Sequence, residues 1–186
     1  MLVSGNGRPS WGGPNCTMGG DESMASGSEA AGAGTVSARL GALGITLPVA
    51  PAPVAVYVPA RVVGDQCWTS GQLPSVEGRL VVTGAVGDAV SVEDAAAAAR
   101  QCALNALAAA AAAVGGVDRL TGVLKVVGFV QSPPDFHAQP AVINGASELL
   151  QSVFGETGRH SRSAVGVSAL PLDAPVEVEV IFSWRA

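Results

Sequence analysis

Three charged residues near the C-terminus lie within apolar segments and could do chemistry there. Residues 161–184 read as two strands joined by a turn that contains proline. Arg162 opens the first strand, and Glu177 and Glu179 share one face of the second because side chains alternate along a strand. An arginine can bind an acidic group through parallel hydrogen bonds, and a carboxylate can position water or move a proton. On composition alone, an ordinary ion pair and ordinary strand alternation stay open as alternatives.

Composition limits what can surround these residues. The chain has 186 residues, of which 48% are hydrophobic and 4% aromatic, so Val, Leu and Ala must fill the core of one domain. The net charge of −5 argues against broad nucleic-acid binding, because that needs Lys and Arg to neutralise phosphates. Cys16, Cys67 and Cys102 form an odd set without ligand-like spacing. We therefore expect a reducing, cytoplasmic setting, structural thiols and no metal site.

The chain divides into a tail and a domain. Residues 1–34 are rich in Gly and Ser and lack a continuous apolar run, which predicts a flexible tail without a signal peptide. Residues 35–186 are predicted to form a single domain. The longest apolar segment, residues 95–114, includes Arg100, Gln101 and Asn105 and is mostly Ala, so we predict no membrane span.

The first half of the domain shows clear start and stop signals. A short helix is predicted at 35–43, an extended segment at 47–53, and strands at 54–58, 66–70 and 79–83. Ser91 can cap the free amide of Asp94 and so begins a long Ala-rich helix. Leu104 and Leu107 mark its buried side, and Gly115 ends it.

The second half predicts a strand, a helix and two further strands. Residues 120–130 suit a central strand buried on both faces, and residues 136–154 suit a helix. Together the elements predict an α+β fold: a mixed β-sheet of about six strands with two main helices packed on one face. The other face needs a cover, for which oligomer packing is expected.

Several short motifs occur in the order and at the spacing of a known family. They are Tyr57-Val58-Pro59, Thr69-Ser70-Gly71-Gln72-Leu73-Pro74, Lys125-Val126-Val127-Gly128-Phe129-Val130, Phe136 with Asn144, Arg162-Ser163-Ala164-Val165, Leu170-Pro171 and Val176-Glu177-Val178-Glu179. Over residues 54–182 the chain resembles the reactive-intermediate deaminase family (RidA/YjgF), in a less studied branch often labelled endoribonuclease L-PSP. The Ser-Gly-Gln motif alone is weak evidence, whereas the ordered set is specific.

The resemblance implies a chorismate-mutase-like fold and a homotrimer with a barrel-like core and pockets between subunits. It also implies hydrolysis of enamines or imines derived from amino acids, which gives 2-oxo acids and ammonia without a cofactor. Two departures bear on the substrate. His160 and Ser161 stand where the family usually has Pro-Ala, and Ala164 stands where well-known members have Cys.

The resemblance also assigns roles to residues. Arg162 would grip the substrate carboxylate, and Glu177 would position the water or relay its proton. Ser70, Gly71 and Tyr57 would hold the water or the developing tetrahedral centre. Asn144 would contact the substrate or brace a loop. Four other charged or titratable residues are read as structural or solvent-facing: Glu179, Lys125, His137 and His160.

Geometry adds one expectation about how the site is built. If residues 171–174 turn a hairpin, Arg162 lies opposite Phe182 and roughly 15 Å or more from Glu177. The two residues would then meet across a subunit boundary, in a site shared by two chains. Two other functions stay open: a non-catalytic trimer that binds or senses small carboxylates, and an endoribonuclease, which the low charge and few aromatics disfavour.

Overall fold

The sheet that carries the charged strand residues is packed on one side by helices. A computed structural model describes residues 34–50 and 57–186. The helices are α1 (Val36–Ala42), α2 (Val92–Val114) and α3 (Gln139–Phe154). The strands are β1 (Ala60–Val63), β2 (Gln66–Thr69), β3 (Ser75–Val76), β4 (Arg79–Leu80), β5 (Leu120–Gln131), β6 (Ser161–Val167) and β7 (Val176–Trp184). This confirms the α+β class with a mixed sheet and two main helices.

The main sheet has the strand order β1-β2-β7-β5-β6, and β3 and β4 form a separate two-stranded hairpin. All neighbours in the main sheet are antiparallel except β5 and β6, which are parallel. The predicted C-terminal hairpin is therefore wrong. Helix α3 carries the chain back beside β5, so β6 pairs in parallel with its second half, from Lys125 to Gln131. Strand β7 then returns antiparallel to β5 on its other side.

Helix α2 follows its local sequence closely. The Ser91 hydroxyl accepts a hydrogen bond from the Asp94 amide at 3.0 Å, and Gly115 ends the helix with φ of 80°. Glycine suits this left-handed end because it has no Cβ. By length and hydropathy α2 could cross a membrane, yet 61% of its apolar window is buried inside the fold. Within the described ranges, α2 is thus the central helix of the core.

The core lies between the helices and one face of the sheet. Alternate residues of β7 point into it, among them Val176, Val178 and Val180, all buried. The opposite face of the sheet is half exposed in one chain, and Trp68 there is 48% accessible. Strand β5 is therefore buried on one face only, contrary to the prediction for both, because the helices cover a single side.

Other boundaries differ from the predictions for local reasons. Helix α3 begins at Gln139 rather than at 136, since Pro140 occupies its first turn, where a missing amide hydrogen is tolerated. Tyr57 and Val58 precede β1 and are not in a strand, while 54–56 lie outside the described residues. The strand predicted at 79–83 is only Arg79–Leu80. The predicted tail, with Cys16, also lies outside the described residues, apart from Gly34.

The crossing of α2 and α3 depends on Gly145. A Cβ at this position would overlap the carbonyl oxygen of Ala96 and lie 2.7 Å from its carbonyl carbon. Backbone atoms cannot move aside as a flexible side chain can, so Gly145→Ala should destabilise the fold by about 1–3 kcal/mol. The measurement is urea unfolding. The matched control is Gly41→Ala in α1, where a new Cβ meets nothing within 4 Å. We expect the control to be neutral or stabilising, and equal midpoints for both variants would contradict the proposed close crossing.

Candidate active site

Arg162 lies against one side of helix α3. Its Nη1 donates to Asn144 Oδ1 at 2.9 Å and to Ser147 Oγ at 3.0 Å. Its Nη2 donates to the Pro140 carbonyl at 3.3 Å. The three helix residues follow one another at spacings of four and three, which places them on one side of a helix. The edge strand and the helix together hold the guanidinium in a fixed orientation.

The remaining donors of Arg162 suit a carboxylate. A guanidinium has five N–H donors in a rigid fork. Three of them bond to α3, which leaves the Nε–H and one Nη2–H without an acceptor among the described residues. Nε and Nη2 are neighbouring nitrogens of the guanidinium, and such a pair can donate to the two oxygens of one carboxylate. The free donors of Arg162 are therefore compatible with the predicted carboxylate clamp.

Ser147 and His160 form a second layer behind the clamp. Ser147 Oγ lies 3.0 Å from His160 Nε2, and His160 Nδ1 lies 2.6 Å from the Gly158 carbonyl oxygen. Sequence reasoning assigned no role to Ser147 and gave His160 only a structural or solvent-facing one. The spacing of Asn144 and Ser147 on one helix side was the signal that could have drawn attention to the serine.

Glu177 lies at the other half of the candidate site. Its carboxylate packs against Gly71, where an added Cβ would overlap Oε1 and lie 2.6 Å from Cδ. Gln72 pairs with Val178 through two backbone hydrogen bonds of 2.9 and 3.0 Å, which fixes this contact. Burial raises the pKa of the Glu177 carboxyl, and the nearby charge of Glu179 raises it further. No cation among the described side chains lies within ion-pair distance of Glu177.

Ser70 and Tyr57 belong to the same half as Glu177. The Ser70 hydroxyl donates to the Val58 carbonyl at 2.7 Å, and the Ser70 amide donates to the Pro59 carbonyl at 2.9 Å. These bonds attach the segment that carries Tyr57, itself exposed, to the end of β2. Because the Ser70 proton is already used, only the lone pairs of its oxygen remain for a water. The Gly71 amide has no acceptor within the described ranges and can donate to an oxyanion.

The two halves lie on opposite faces of the sheet in one chain. Arg162 is in register with Val126, which is buried under the helices. Glu177 is in register with Phe129 on the half-exposed face. With about 4.8 Å between strands and about 3.3 Å per residue, the two Cα atoms lie on the order of 14 Å apart. The predicted hairpin register was wrong, but Arg162 and Glu177 are still far apart. They lie on opposite faces of the sheet and on strands separated by β5.

Lys125 and Glu179 lie on the sheet outside the two halves of the site. Lys125 Nζ donates to Ser163 Oγ at 3.2 Å, and Glu179 follows Glu177 on the same face of β7, in register with Val127. Asn105 was missed as a support: its Nδ2 donates to the carbonyls of Leu73 and Ser75 at 2.9 and 3.0 Å. That contact braces the loop after Ser-Gly-Gln from the buried side of α2. In residues 34–50 and 57–186, no three His, Cys, Asp or Glu side chains cluster as metal ligands.

Two sequence relatives align with about three quarters of this chain and with most of their own length. Protein TCP17 of Trypanosoma cruzi is 47% identical over 145 residues, which cover 77% of this chain and 91% of that protein. A 2-iminobutanoate/2-iminopropanoate deaminase of Dermatophagoides farinae is 33% identical over 138 residues, covering 74% of this chain and 92% of the relative.

A solved structure and a family match agree with these relatives. The crystal structure of Atu1372, an Agrobacterium tumefaciens protein of unknown function, aligns with a TM-score of 0.74 at 44% identity. The alignment covers 82% of this chain and 94% of Atu1372. Residues 37–183 match the family described as YjgF/chorismate-mutase-like, which also carries an endoribonuclease label. The chain therefore belongs to the YjgF/chorismate-mutase-like family.

Proposed function

We propose that the protein is a hydrolytic deaminase of reactive enamines and imines derived from amino acids. It would convert them to 2-oxo acids and ammonia. The observation that carries the proposal is the Arg162 guanidinium, which α3 holds with two adjacent donors left for a carboxylate. The relative named as a 2-iminobutanoate/2-iminopropanoate deaminase supports the same substrate class.

The residues support a simple sequence of steps. Arg162 holds the carboxylate of the 2-imino acid, which places the imine carbon for attack. Water adds to that carbon while Glu177 accepts one of its protons, and the proton passes to the nitrogen. The adduct's hydroxyl then gives its remaining proton to the nitrogen, again through Glu177, as the carbon–nitrogen bond breaks, so that C=N and H₂O become C=O and NH₃. The Gly71 amide stabilises the oxygen as charge develops on it.

The proposed reaction needs a site made from two chains. A 2-imino acid spans only a few bonds, whereas Arg162 and Glu177 lie on opposite faces of one sheet. We propose a homotrimer in which the Arg162 half of one subunit meets the Glu177 half of the next. The half-exposed face of the sheet, with Trp68 and Val165, provides apolar surface for such contacts.

One observation favours a second candidate function. The Arg162 clamp is complete within one chain, whereas Glu177 is remote from it. A trimer that binds small carboxylates without converting them would need only the clamp. An endoribonuclease is less well supported, because RNA binding needs a basic track with stacking aromatics and the net charge is −5.

A direct assay separates these functions. An amino-acid oxidase generates 2-iminobutanoate in solution, and its loss is followed with and without the protein. We expect faster hydrolysis with the wild type, since the clamp and Glu177 both lower the barrier, and no acceleration when heat-denatured protein is added as the control. Equal rates in all samples would exclude the deaminase. Calorimetric binding of 2-oxobutanoate would then support the carboxylate receptor.

A further inference from the structure

The hydrogen bonds behind Arg162 determine which nitrogen of His160 carries a proton. The Gly158 carbonyl oxygen can only accept, so His160 Nδ1, at 2.6 Å, must be the donor. In the neutral ring Nε2 is then an acceptor, and the Ser147 hydroxyl at 3.0 Å donates to it. With its proton directed to His160, the Ser147 oxygen presents its lone pairs to Arg162 Nη1. In this series of hydrogen bonds, each group can act only as the donor or the acceptor described.

A second serine in the same helix shows what Ser147 would do without His160. Ser152 Oγ donates to the Glu148 carbonyl at 2.7 Å, four residues earlier. Serines within helices often make this local bond. Without an acceptor at His160, the Ser147 hydroxyl would turn to the Ile143 carbonyl in the same way. Its oxygen would then leave the position from which it accepts the Arg162 bond.

The backbone before His160 is built for this contact. Gly158 lies so close to α3 that a Cβ there would be 2.6 Å from the Leu150 carbonyl oxygen and 2.8 Å from the Gln151 Cα. This approach brings the His160 ring beside Ser147. An open cleft of about 300 Å³ borders the group and is lined by Ser147, Gln151, Gly158, Arg159, His160 and Arg162.

We propose that His160, in its Nδ1–H tautomer, is a positioning residue for the substrate carboxylate. It fixes the direction of the Ser147 hydroxyl and thereby the orientation of the Arg162 guanidinium. His160 acts through these two residues and does not touch the substrate. The inference rests on the proposed carboxylate clamp and adds a residue outside the motifs that suggested it.

The test compares two substitutions of His160. Leucine removes the acceptor, whereas glutamine keeps a carbonyl oxygen near the position of Nε2. We expect His160→Leu to raise KM for 2-iminobutanoate and Kd for 2-oxobutanoate by about tenfold. The carboxylate is held equally in the ground and transition states, so kcat should change little. His160→Gln should stay within about threefold of the wild type, and His137→Gln is the control for the chain's other histidine.

Nuclear magnetic resonance gives a readout that needs no ligand. The imidazole nitrogen shifts should report a protonated Nδ1 for His160, and His160→Leu should speed rotation of the Arg162 guanidinium. Ser147→Ala should do the same, which provides a second variant if His160→Leu fails to fold.

The outcomes separate this inference from the proposed function. If the wild type neither binds nor converts a carboxylate, the proposed function is wrong. The rotation rate of the Arg162 guanidinium in the variants is then the measurement that tests the positioning role. If Arg162→Ala loses binding while His160→Leu matches the wild type in KM, Kd and guanidinium rotation, the positioning role is overturned and the clamp stands.

Discussion

Replacing Arg162 with alanine should lower kcat/KM for 2-iminobutanoate by about a hundredfold or more. The variant loses two charge-assisted hydrogen bonds to the substrate, each of which contributes about 1.5–3 kcal/mol. It also leaves Asn144 Oδ1 and Ser147 Oγ without their donor. The measurement is the steady-state rate of imine loss, together with calorimetric titration of 2-oxobutanoate.

Two further arginine variants show whether charge or geometry matters. Arg162→Lys keeps the charge, but an ammonium cannot supply two parallel donors and also reach α3. We expect it to recover only a small part of the activity. Arg79→Ala is the control, since Arg79 is exposed in the β3–β4 hairpin and does not line the cleft beside Arg162. A loss with Arg79→Ala as large as that with Arg162→Ala would point to general electrostatics instead of a clamp.

Replacing Glu177 with glutamine should remove proton transfer and leave carboxylate binding intact. We expect kcat to fall roughly 10²- to 10⁴-fold. The Kd for 2-oxobutanoate should stay close to that of the wild type, because Arg162 is on the other face of the sheet. The measurements are single-turnover rates and calorimetric titration. Unchanged kcat would remove Glu177 from the proposed mechanism.

The same substitution should change stability in a pH-dependent way. Burial and Glu179 raise the pKa of Glu177 in the folded chain above its unfolded value. The folded state then binds the proton more tightly, so this contribution to stability is present at low pH. It is lost as pH rises through the raised folded pKa. Glu177→Gln should therefore be more stable to unfolding than the wild type at neutral pH and equally stable at acid pH. Glu148→Gln, at an exposed position, is the control.

Mixing the two variants tests the shared site. In a mixed trimer, an intact Arg162 from the Glu177→Gln chain can face an intact Glu177 from the Arg162→Ala chain. Activity should then exceed that of either variant alone. Two differently tagged chains allow mixed trimers to be purified before the assay. Purified mixed trimers without recovered activity would contradict a site built from two chains.

Local features of the sequence were sufficient to predict the helices. Helix α2 begins at the serine cap and ends at the glycine that the sequence indicated, because both signals act within a few residues. The strand pairing was not predictable in this way. Val126 pairs with Arg162 and Val180 on its two sides, and such contacts join segments far apart in the chain. A turn with proline between two strands suggested a hairpin, but the crossover through α3 determined the pairing.

The candidate site shows the same limit. The family resemblance placed Arg162 and Asn144 in one site, and they are 2.9 Å apart between Nη1 and Oδ1. It did not reveal Ser147 or give His160 its partners. Those contacts require Gly158 to lie against the backbone of α3, a tertiary approach with no sequence periodicity. Likewise, the raised pKa of Glu177 arises from burial, which the alternating strand pattern alone did not indicate.

The bare backbone at Gly71 has a consequence for how this fold can diverge. A single added methyl group there would displace the Glu177 carboxylate, since the two would overlap. The clamp on the opposite face of the sheet would be untouched. Under the proposed mechanism, adding this one carbon atom at residue 71 would turn a catalyst into a receptor that binds the same acids without converting them. A duplicated gene could therefore exchange catalysis for binding through a single substitution.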